Sequence, residues 1–429
     1  MVFSEILRFN KKIKLNYINI KKINPRIKKS KKNNINFSHK ISNLLLNKLS
    51  SKKIFVQNLF YGKISEQISN FSLMQFRKKI SHSYNLKKIK IDYKLRDKFL
   101  NFNKNINRNF ENFIIFQIKN NLPKIFFESY SEANNVIEKL SLPAKPKLIM
   151  TSLDHHFNDY FKLYTAKNIL LGSKFYISQH GGSYGISDLY MNELFDIKLS
   201  DKFLTWGWKE KNKKIRPFFC QKHYYINPKI IKRKNSKGLI IPIMEEPLSP
   251  GNIASGRPRT KMEINDYIEV IDNFLRGLNK NIKKQSAIKT FNNPLENYVY
   301  NSLKFKYPNL NVIKSDKNSL RFLKKFKLYV ETVNSTGYLE TLRSNFPTIL
   351  IFNEQFCSIR KSVKKDMKML KKVNILFDSP KKASEFVNKN YLQIDKWWND
   401  KKLQSVREKF CNKFVRTSLN PYKDLKKII

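Results

Sequence analysis

The chain has 429 residues, 41% hydrophobic and 13% aromatic, which is enough apolar content for two packed domains and too much for wholesale disorder. Its 85 Lys and Arg against 33 Asp and Glu leave a formal charge of +52; either an anionic partner is being met (nucleic acid, acidic lipid, a phosphate-bearing substrate), or a Lys-rich composition simply solvates the surface. Cys220, Cys357 and Cys411 lie far apart in no metal-ligand spacing, which excludes a disulfide framework and fits a reducing compartment.

Residues 1–110 are dense in Lys and Asn, with short apolar clusters at 41–46 and 54–56. Their weak periodicity suggests a basic, helical N-terminal region. The run Lys28-Lys29-Ser30-Lys31-Lys32 reads as an exposed loop in preference to a nucleic-acid patch. Residues 1–8 carry no apolar core leading to a cleavage site, and no apolar run approaches the ~20 residues of a membrane span. The expected location is cytoplasmic, with peripheral contact at an anionic inner membrane left open.

From 111 to 235 the pattern tightens into an N-terminal Rossmann-like half. Residues 113–118 and 133–140 read as amphipathic helices, Pro143-Ala144-Lys145-Pro146 as a linker and 147–152 as a buried strand. Asp154 or Asn158 can cap a helix through 160–166 that stops at Gly172, and a strand at 174–178 completes a β-α-β unit. At its carboxyl end stands Gln179-His180-Gly181-Gly182-Ser183-Tyr184-Gly185, holding three of the chain's 11 Gly. Glycine clustered in this way marks backbone that approaches something closely or takes positive φ. Open parallel sheets bind ligands at that edge. Another short strand is expected at 198–206, closed by Trp206-Gly207-Trp208, and an exposed basic segment at 209–214.

The C-terminal half, 236–378, opens on a strand at 237–243, rich in β-branched residues. A Pro, Ser and Gly-rich loop carrying Arg257 and Arg259 follows, with Lys261 just beyond and a helix at 265–278. A strand at 326–331, the turn Thr332-Val333-Asn334-Ser335-Thr336-Gly337, a short helix at 338–344 and a strand at 347–352 make the next β-α-β unit. Hydroxyls dress that helix start, where backbone N–H groups favour phosphate. Glu340, about one turn in, can face the same mouth and suits sugar hydroxyls better than phosphate. Residues 379–429 read as C-terminal helices begun by Ser379-Pro380, and both tryptophan pairs, Trp206 with Trp208 and Trp397 with Trp398, read as packing.

His180, beside two Gly at a strand end, is poorly placed for a core. It suits a general base or a hydrogen-bond donor to a phosphoryl oxygen, backed by the Gly181 and Gly182 amides. Gln179, Tyr184, Asp154 and His155 are expected to line the same cleft. Asp154, His155, His156 and Asp159 make an incomplete ligand set, so no metal and no cofactor is expected. The chain shows no Walker loop, dinucleotide fingerprint, zinc spacing or lipase elbow. Its charge would permit a nucleic-acid-binding protein, but no recognised binding module is visible, which disfavours nucleic acid as the partner.

Two such blocks suggest an α/β chain of two Rossmann-like halves facing a cleft. Gln179-His180-Gly181-Gly182 with Tyr184-Gly185, then Ser200-Asp201-Lys202-Phe203-Leu204-Thr205-Trp206-Gly207-Trp208, resembles the signature of a family of transferases encoded with O-antigen and other surface-polysaccharide genes. That family is distantly similar to capsular Kdo transferases and GT-B-like in architecture. Asn334-Ser335-Thr336, Leu339-Glu340-Thr341, Pro347-Thr348 and Trp397-Trp398 match the same pattern, over roughly residues 140–415. It departs at Ile288-Lys289-Thr290-Phe291-Asn292-Asn293, which lacks the aromatic-Gly stretch the family carries after an Arg. The resemblance implies a metal-independent glycosyltransferase moving a sugar from a nucleotide-sugar donor to a glycan or lipid-linked acceptor. Ser335 and Thr336 would meet the donor's phosphates and Glu340 its ribose, while Arg257, Arg259 or Lys261 would neutralise the departing phosphate. His180 would act from across the cleft. Transfer of a phosphate-linked polyol or polymer unit by similar halves is the alternative activity.

Overall fold

The computed structural model describes residues 53–59, 67, 70, 71, 73–75, 79–84, 89–100, 109–140, 142–223, 236–244, 261–290, 297–314, 321–355 and 357–428. The expectations for 28–32 and 41–46, and for the loop bearing Arg257 and Arg259, lie outside these residues. The described chain falls into two compact units, one drawn from 53–55, 74–146 and 154–172, the other from 56–73, 147–153 and 173–428.

The first unit is helical: α1 (Tyr93–Leu100), α2 (Asn109–Asn121), α3 (Tyr130–Glu138), α4 (Asp154–Phe157) and α5 (Asp159–Leu170). Arg96 is fully buried and makes a two-pronged pair with Glu128, at 2.7 and 3.1 Å. The same guanidinium donates to the carbonyls of Lys119 and Leu122. It thereby satisfies acceptors that the end of α2 leaves open. Asn158 caps α5 by accepting the Phe161 N–H at 3.0 Å, as one of the two expected caps. The buried face of α5 meets Phe55, whose ring lies 6.2 Å from Phe161 and 5.0 Å from Tyr164.

The second unit holds two sheets. The first runs in the order β1 (Ile54–Gln57, of which Val56 and Gln57 fall in this unit), β2 (Leu148–Thr151), β3 (Lys174–Ser178), β4 (Lys202–Thr205), β5 (Ile215–Pro217), and β2 through β5 pair in parallel. All four residues of β2 are buried, as in a strand covered on both faces. Between β3 and β4 lies α6 (Met191–Leu199). Residues 198 and 199 therefore finish a helix where a strand was expected. Ser200 ends it, its N–H and its hydroxyl both donating to the carbonyl of Asp196.

The second sheet comprises β6 (Leu239–Pro242), β7 (Ala287–Thr290), β8 (Asn311–Lys314), β9 (Leu328–Glu331), β10 (Thr348–Ile351) and β11 (Leu376–Phe377), all parallel, in the order β11-β10-β9-β6-β7-β8. From β6 the chain steps one way to β8, then returns and steps the other way from β9. The reversal falls between β6 and β9, and such a switch point opens a crevice beyond the carboxyl ends of the two strands. The remaining helices are α7 (Lys261–Gly277), α8 (Lys280–Gln285), α9 (Tyr298–Lys306), α10 (Gly337–Arg343), α11 (Lys364–Lys372), α12 (Pro380–Asn390), α13 (Ile394–Trp398), α14 (Lys401–Phe414) and α15 (Pro421–Ile428). The expected start of α12 is present, with Ser379 as cap and Pro380 in the first turn.

The tail ties the two sheets' halves together. Arg407 of α14 donates to the Leu342 carbonyl near the end of α10 at 2.9 Å. Just past α14, the Arg416 N–H donates to the Trp206 carbonyl and the Arg416 carbonyl accepts from the Cys220 N–H. Trp206, Trp208 and Trp398 are buried, which is the packing role expected of them. Among the described residues no helix is long and apolar enough to cross a membrane.

Candidate functional site

The loop after β3 is held from below by one buried amide. The Gln179 Oε1 accepts the Trp206 N–H at 2.9 Å and the Trp208 indole N–H at 2.8 Å, while its Nε2 donates to the Gly181 carbonyl at 2.8 Å. Gln179 is wholly buried, so it braces the loop and does not line open space. At the far end Gly185 takes φ +69°, and a Cβ there would fall 2.5 Å from the Trp208 ring. Only glycine meets both demands.

Between these anchors stands His180. The Tyr184 hydroxyl donates to Asp196 Oδ2 at 2.7 Å and lies 3.1 Å from His180 Nδ1. Burial, then the Asp196 carboxylate, push the Tyr184 phenol well above its ordinary pKa, so it remains a neutral hydroxyl. Its one proton is committed to Asp196, so toward the imidazole it can only accept. The same oxygen lies 3.4 Å from Nε2, so either ring nitrogen can carry the hydrogen that meets it, with the other left to accept a proton. Asp196 and Tyr184 are buried while His180 is partly exposed. The result is a carboxylate–phenol–imidazole chain ending at the surface.

Directly against this loop lies the turn between β9 and α10. The Gly182 N–H donates to Thr336 Oγ1 at 3.0 Å, the Ser183 hydroxyl donates to the Asn334 carbonyl at 3.0 Å, and Asn334 Nδ2 donates to Ser187 Oγ at 2.8 Å. A Cβ on Gly182 would fall 2.4 Å from the Ser335 carbonyl oxygen and 2.8 Å from the Thr336 Cα. The turn has its own brace: buried Glu331 accepts from the Tyr329 hydroxyl at 3.0 Å and the Ser335 hydroxyl at 2.6 Å. Ser335 Oγ in turn accepts the Gly337 N–H at 3.0 Å. Thr336 Oγ1 accepts from Gly182, which leaves the threonine's own hydroxyl proton to donate elsewhere. His180, Gly181, Ser335, Thr336 and Gly337 are the partly exposed members of an otherwise buried assembly.

Three further ion pairs join the sheets' halves around this point. Glu340, nearly buried on α10, forms an ion pair with Lys222. Lys222 belongs to the turn Gln221–His223, whose Gln221 amide donates to Ser178 Oγ at the end of β3. Arg360 bridges Glu193 of α6, at 2.7 Å, and Glu210, and it also donates to the Ser187 carbonyl at 3.3 Å. Burial pushes the Glu193 carboxyl up, and the Arg360 guanidinium and the Gly185 N–H pull it part of the way back. A short antiparallel bridge, Ser187 to Ile359, completes this seam.

Of the residues singled out in the sequence, His180, Gly181, Gly182, Tyr184, Asn334, Ser335, Thr336 and Glu340 are brought together. Tyr184, like Gln179, is a buried support. Asp154 and His155 are buried in α4 of the first unit, where Asp154 lies 3.9 Å from His82. Arg257 and Arg259 lie outside the described residues, and of Lys261 only its place at the start of α7 is described. Sequence reasoning missed Lys222, Arg360, Glu193, Asp196 and Glu331. Of these, only the Glu193 and Asp196 spacing, three apart on one helix, carried a signal.

The family model described as LIC12162 family transferase matches residues 1–429. No curated protein matches the chain. Solved structures that resemble it include TarM, at 13% identity and a TM-score of 0.40, covering 66% of this chain and 53% of that one. The chain thus spans about half of TarM's length. WaaG, described as a glycosyltransferase involved in lipopolysaccharide biosynthesis, matches at 10% identity and a TM-score of 0.37, covering 87% of this chain and 98% of that one. Anabaena HepE, solved with UDP and glucose, matches at 9% identity and a TM-score of 0.44, covering 88% and 98%. The strand order above, and not these distant likenesses, establishes the fold.

Proposed function

The chain belongs to the LIC12162 family of transferases, and on that premise we propose that it is a GT-B-like glycosyltransferase of surface-polysaccharide assembly, O-antigen or capsule. It moves a sugar from a nucleotide-sugar donor to a lipid-linked or glycan acceptor, at the cytoplasmic side of a membrane. The observation that carries this reading is the 3.0 Å contact between Gly182 and Thr336. It places a histidine loop and a hydroxyl-bearing turn together at the switch point of a doubly wound sheet, where such folds bind nucleotides.

In this reading the donor sits on the C-terminal half. The Thr336 hydroxyl proton and Ser335, on the turn that Asn334 holds, meet its diphosphate, and Glu340 accepts from its ribose hydroxyls after exchanging part of its contact with Lys222. His180 takes the acceptor hydroxyl's proton on a ring nitrogen as the new C–O bond forms and the sugar's bond to phosphate breaks. Charge on the departing phosphate is balanced by Lys222 and by Arg257, Arg259 or Lys261, with no metal assigned. Exclusion of water by the surrounding seam limits wasteful donor hydrolysis.

The test is a donor panel of CMP-, UDP- and GDP-sugars, scored for nucleotide release with and without acceptor. The reading expects release from one nucleotide class and its loss, by at least about a hundredfold, in His180→Ala. Full activity in that variant would remove His180 from the chemistry.

A further inference from the structure

A cavity of about 510 Å³ opens at the carboxyl edge of the second sheet, beyond β10 and β11. That is the size of a small-molecule site. None of His180, Ser335, Thr336 and Glu340 lines it, so it is separate from the turn after β9. Its apolar floor comes from Phe352 just past β10, Phe377 at the end of β11 and Met367 of α11, each more than nine-tenths buried.

Helix α11 turns a basic face to this space. Lys364, Lys368 and Lys371 line it together with Met367, at the spacing of one helical face. Lysines four apart repel one another, and Lys364 adds positive charge to a helix start, where the dipole disfavours it. Among the described residues Lys371 pairs with Asp378, while Lys364 and Lys368 have no carboxylate partner. Elsewhere on the helix Leu370 is buried and Asp366 pairs with Lys413 of α14, so packing accounts for those positions and not for the two free ammonium groups.

Glu354 and Asp378 stand on the strand side of the same cavity. Hydrogen bonding from Lys371 holds the Asp378 carboxyl below its ordinary pKa, against the cost of burial, so at neutral pH it accepts hydrogen bonds and does not donate them. Free ammonium groups suit a phosphate, and carboxylates suit hydroxyl hydrogens. The negative faces of the two phenyl rings suit the C–H side of a sugar ring. An anion without hydroxyls would leave Glu354 and Asp378 facing it with nothing to accept.

We propose that this cavity binds a phosphorylated monosaccharide, its phosphate on Lys364 and Lys368, its hydroxyls on Glu354 and Asp378, and its ring over Phe352 and Phe377. One wall of the cavity is the segment 357–359. The Ser358 carbonyl accepts the Asp188 N–H at 3.1 Å, and the adjoining Arg360 N–H donates to the Ile186 carbonyl at 2.9 Å. Residues 186–188 continue directly from the His180 loop, so an occupant lies against the backbone that secures it. Such a site needs neither the donor turn nor the sugar-transfer reading.

Calorimetric titration of the full-length chain with the 1-phosphates of glucose, galactose and mannose tests this, with free glucose and inorganic phosphate in parallel. At least one sugar phosphate should bind saturably, about tenfold or more tighter than glucose or phosphate. Lys364→Ala with Lys368→Ala should weaken that binding by about tenfold or more. Lys365→Ala with Lys372→Ala removes the same charge from exposed positions of the same helix outside the cavity, and should leave the binding unchanged. Glu340→Ala should also leave it unchanged, which keeps this site distinguishable from the donor turn. The proposal is overturned if no sugar phosphate binds or if inorganic phosphate binds as well as the sugar phosphates. Equal weakening by the two lysine pairs would assign the binding to diffuse charge, and weakening by Glu340→Ala alone would assign it to the donor turn; either result also overturns it.

Discussion

Gly182 and Thr336 are 154 residues apart in the chain and joined by a 3.0 Å hydrogen bond from backbone N–H to side-chain Oγ1. The contact exists because position 182 has no side chain: a Cβ would stand 2.4 Å from the Ser335 carbonyl oxygen. One absent methyl group thus lets two loops, each at the carboxyl edge of its own parallel sheet, form a single surface.

Gly182→Ala is therefore expected to force the loops apart, with a loss of about 1–3 kcal/mol in stability and most of the activity. Gly181→Ala is the matched control, since a Cβ there meets nothing closer than 3.7 Å, the edge of the Tyr184 ring. Urea melts of the two variants, with activity alongside, check the contrast. Equal effects would mean that loop approach is not what glycine secures at 182.

Tyr184→Phe keeps the buried ring and removes the hydroxyl between Asp196 and His180. It should lower kcat by on the order of tenfold or more and change the pH profile on its acidic side, because the imidazole loses the hydroxyl that holds it in place and links it to Asp196. The stability cost is about 1–3 kcal/mol, from the hydrogen bond withdrawn from buried Asp196. A variant that is destabilised but unchanged in kcat and pH profile would reduce Tyr184 to packing.

Arg360 holds Glu193 and Glu210 while donating to the Ser187 carbonyl. Arg360→Met leaves Glu193 buried without its guanidinium and should cost about 3–5 kcal/mol. Glu193→Gln in that background should recover part of the loss, since the uncompensated charge goes with it. Lysine at 360 cannot reproduce the two-pronged geometry and should fall between. Denaturant melts of the three variants give the order.

How much of this could be read in the sequence depended on local chemistry. The loop after β3 and the turn after β9 were legible, because Gly clusters and an Asn-Ser-Thr run each follow a short apolar strand. The alternation of helices and strands, and so the two parallel sheets, was legible for the same reason. The contacts that join the halves were not. Lys222 and Arg360 are two among 85 basic residues, and nothing in their neighbours marks them. Helix α6 defeats the usual rule outright, since hydrophobic periodicity would bury Leu194 and expose Glu193. The opposite holds because Glu193 and Asp196 have fixed partners in the fold.

In the first unit, the Glu128 carboxyl is held down to about 2 by its hydrogen bonds with Arg96, against the penalty of burial. A carboxyl lowered in the folded state contributes stability above its unfolded pKa and loses it as pH falls toward the folded value. Stability should therefore drop between about pH 4 and 2, by on the order of 2–3 kcal/mol for this pair. Glu128→Gln should be less stable at neutral pH and should flatten that acid slope. An unchanged slope would place the acid sensitivity elsewhere.

The central claim is that the turn after β9, with Glu340, holds a nucleotide. It is tested most directly by the melting temperature of the full-length protein titrated with CMP, UDP, GDP and their sugars, alongside Glu340→Ala. We expect one nucleotide class to raise it saturably, equivalent to about 2.7 kcal/mol at a hundredfold excess over Kd, and Glu340→Ala to shift that titration to higher concentration. No response to any nucleotide, or the same titration in Glu340→Ala, would contradict the account.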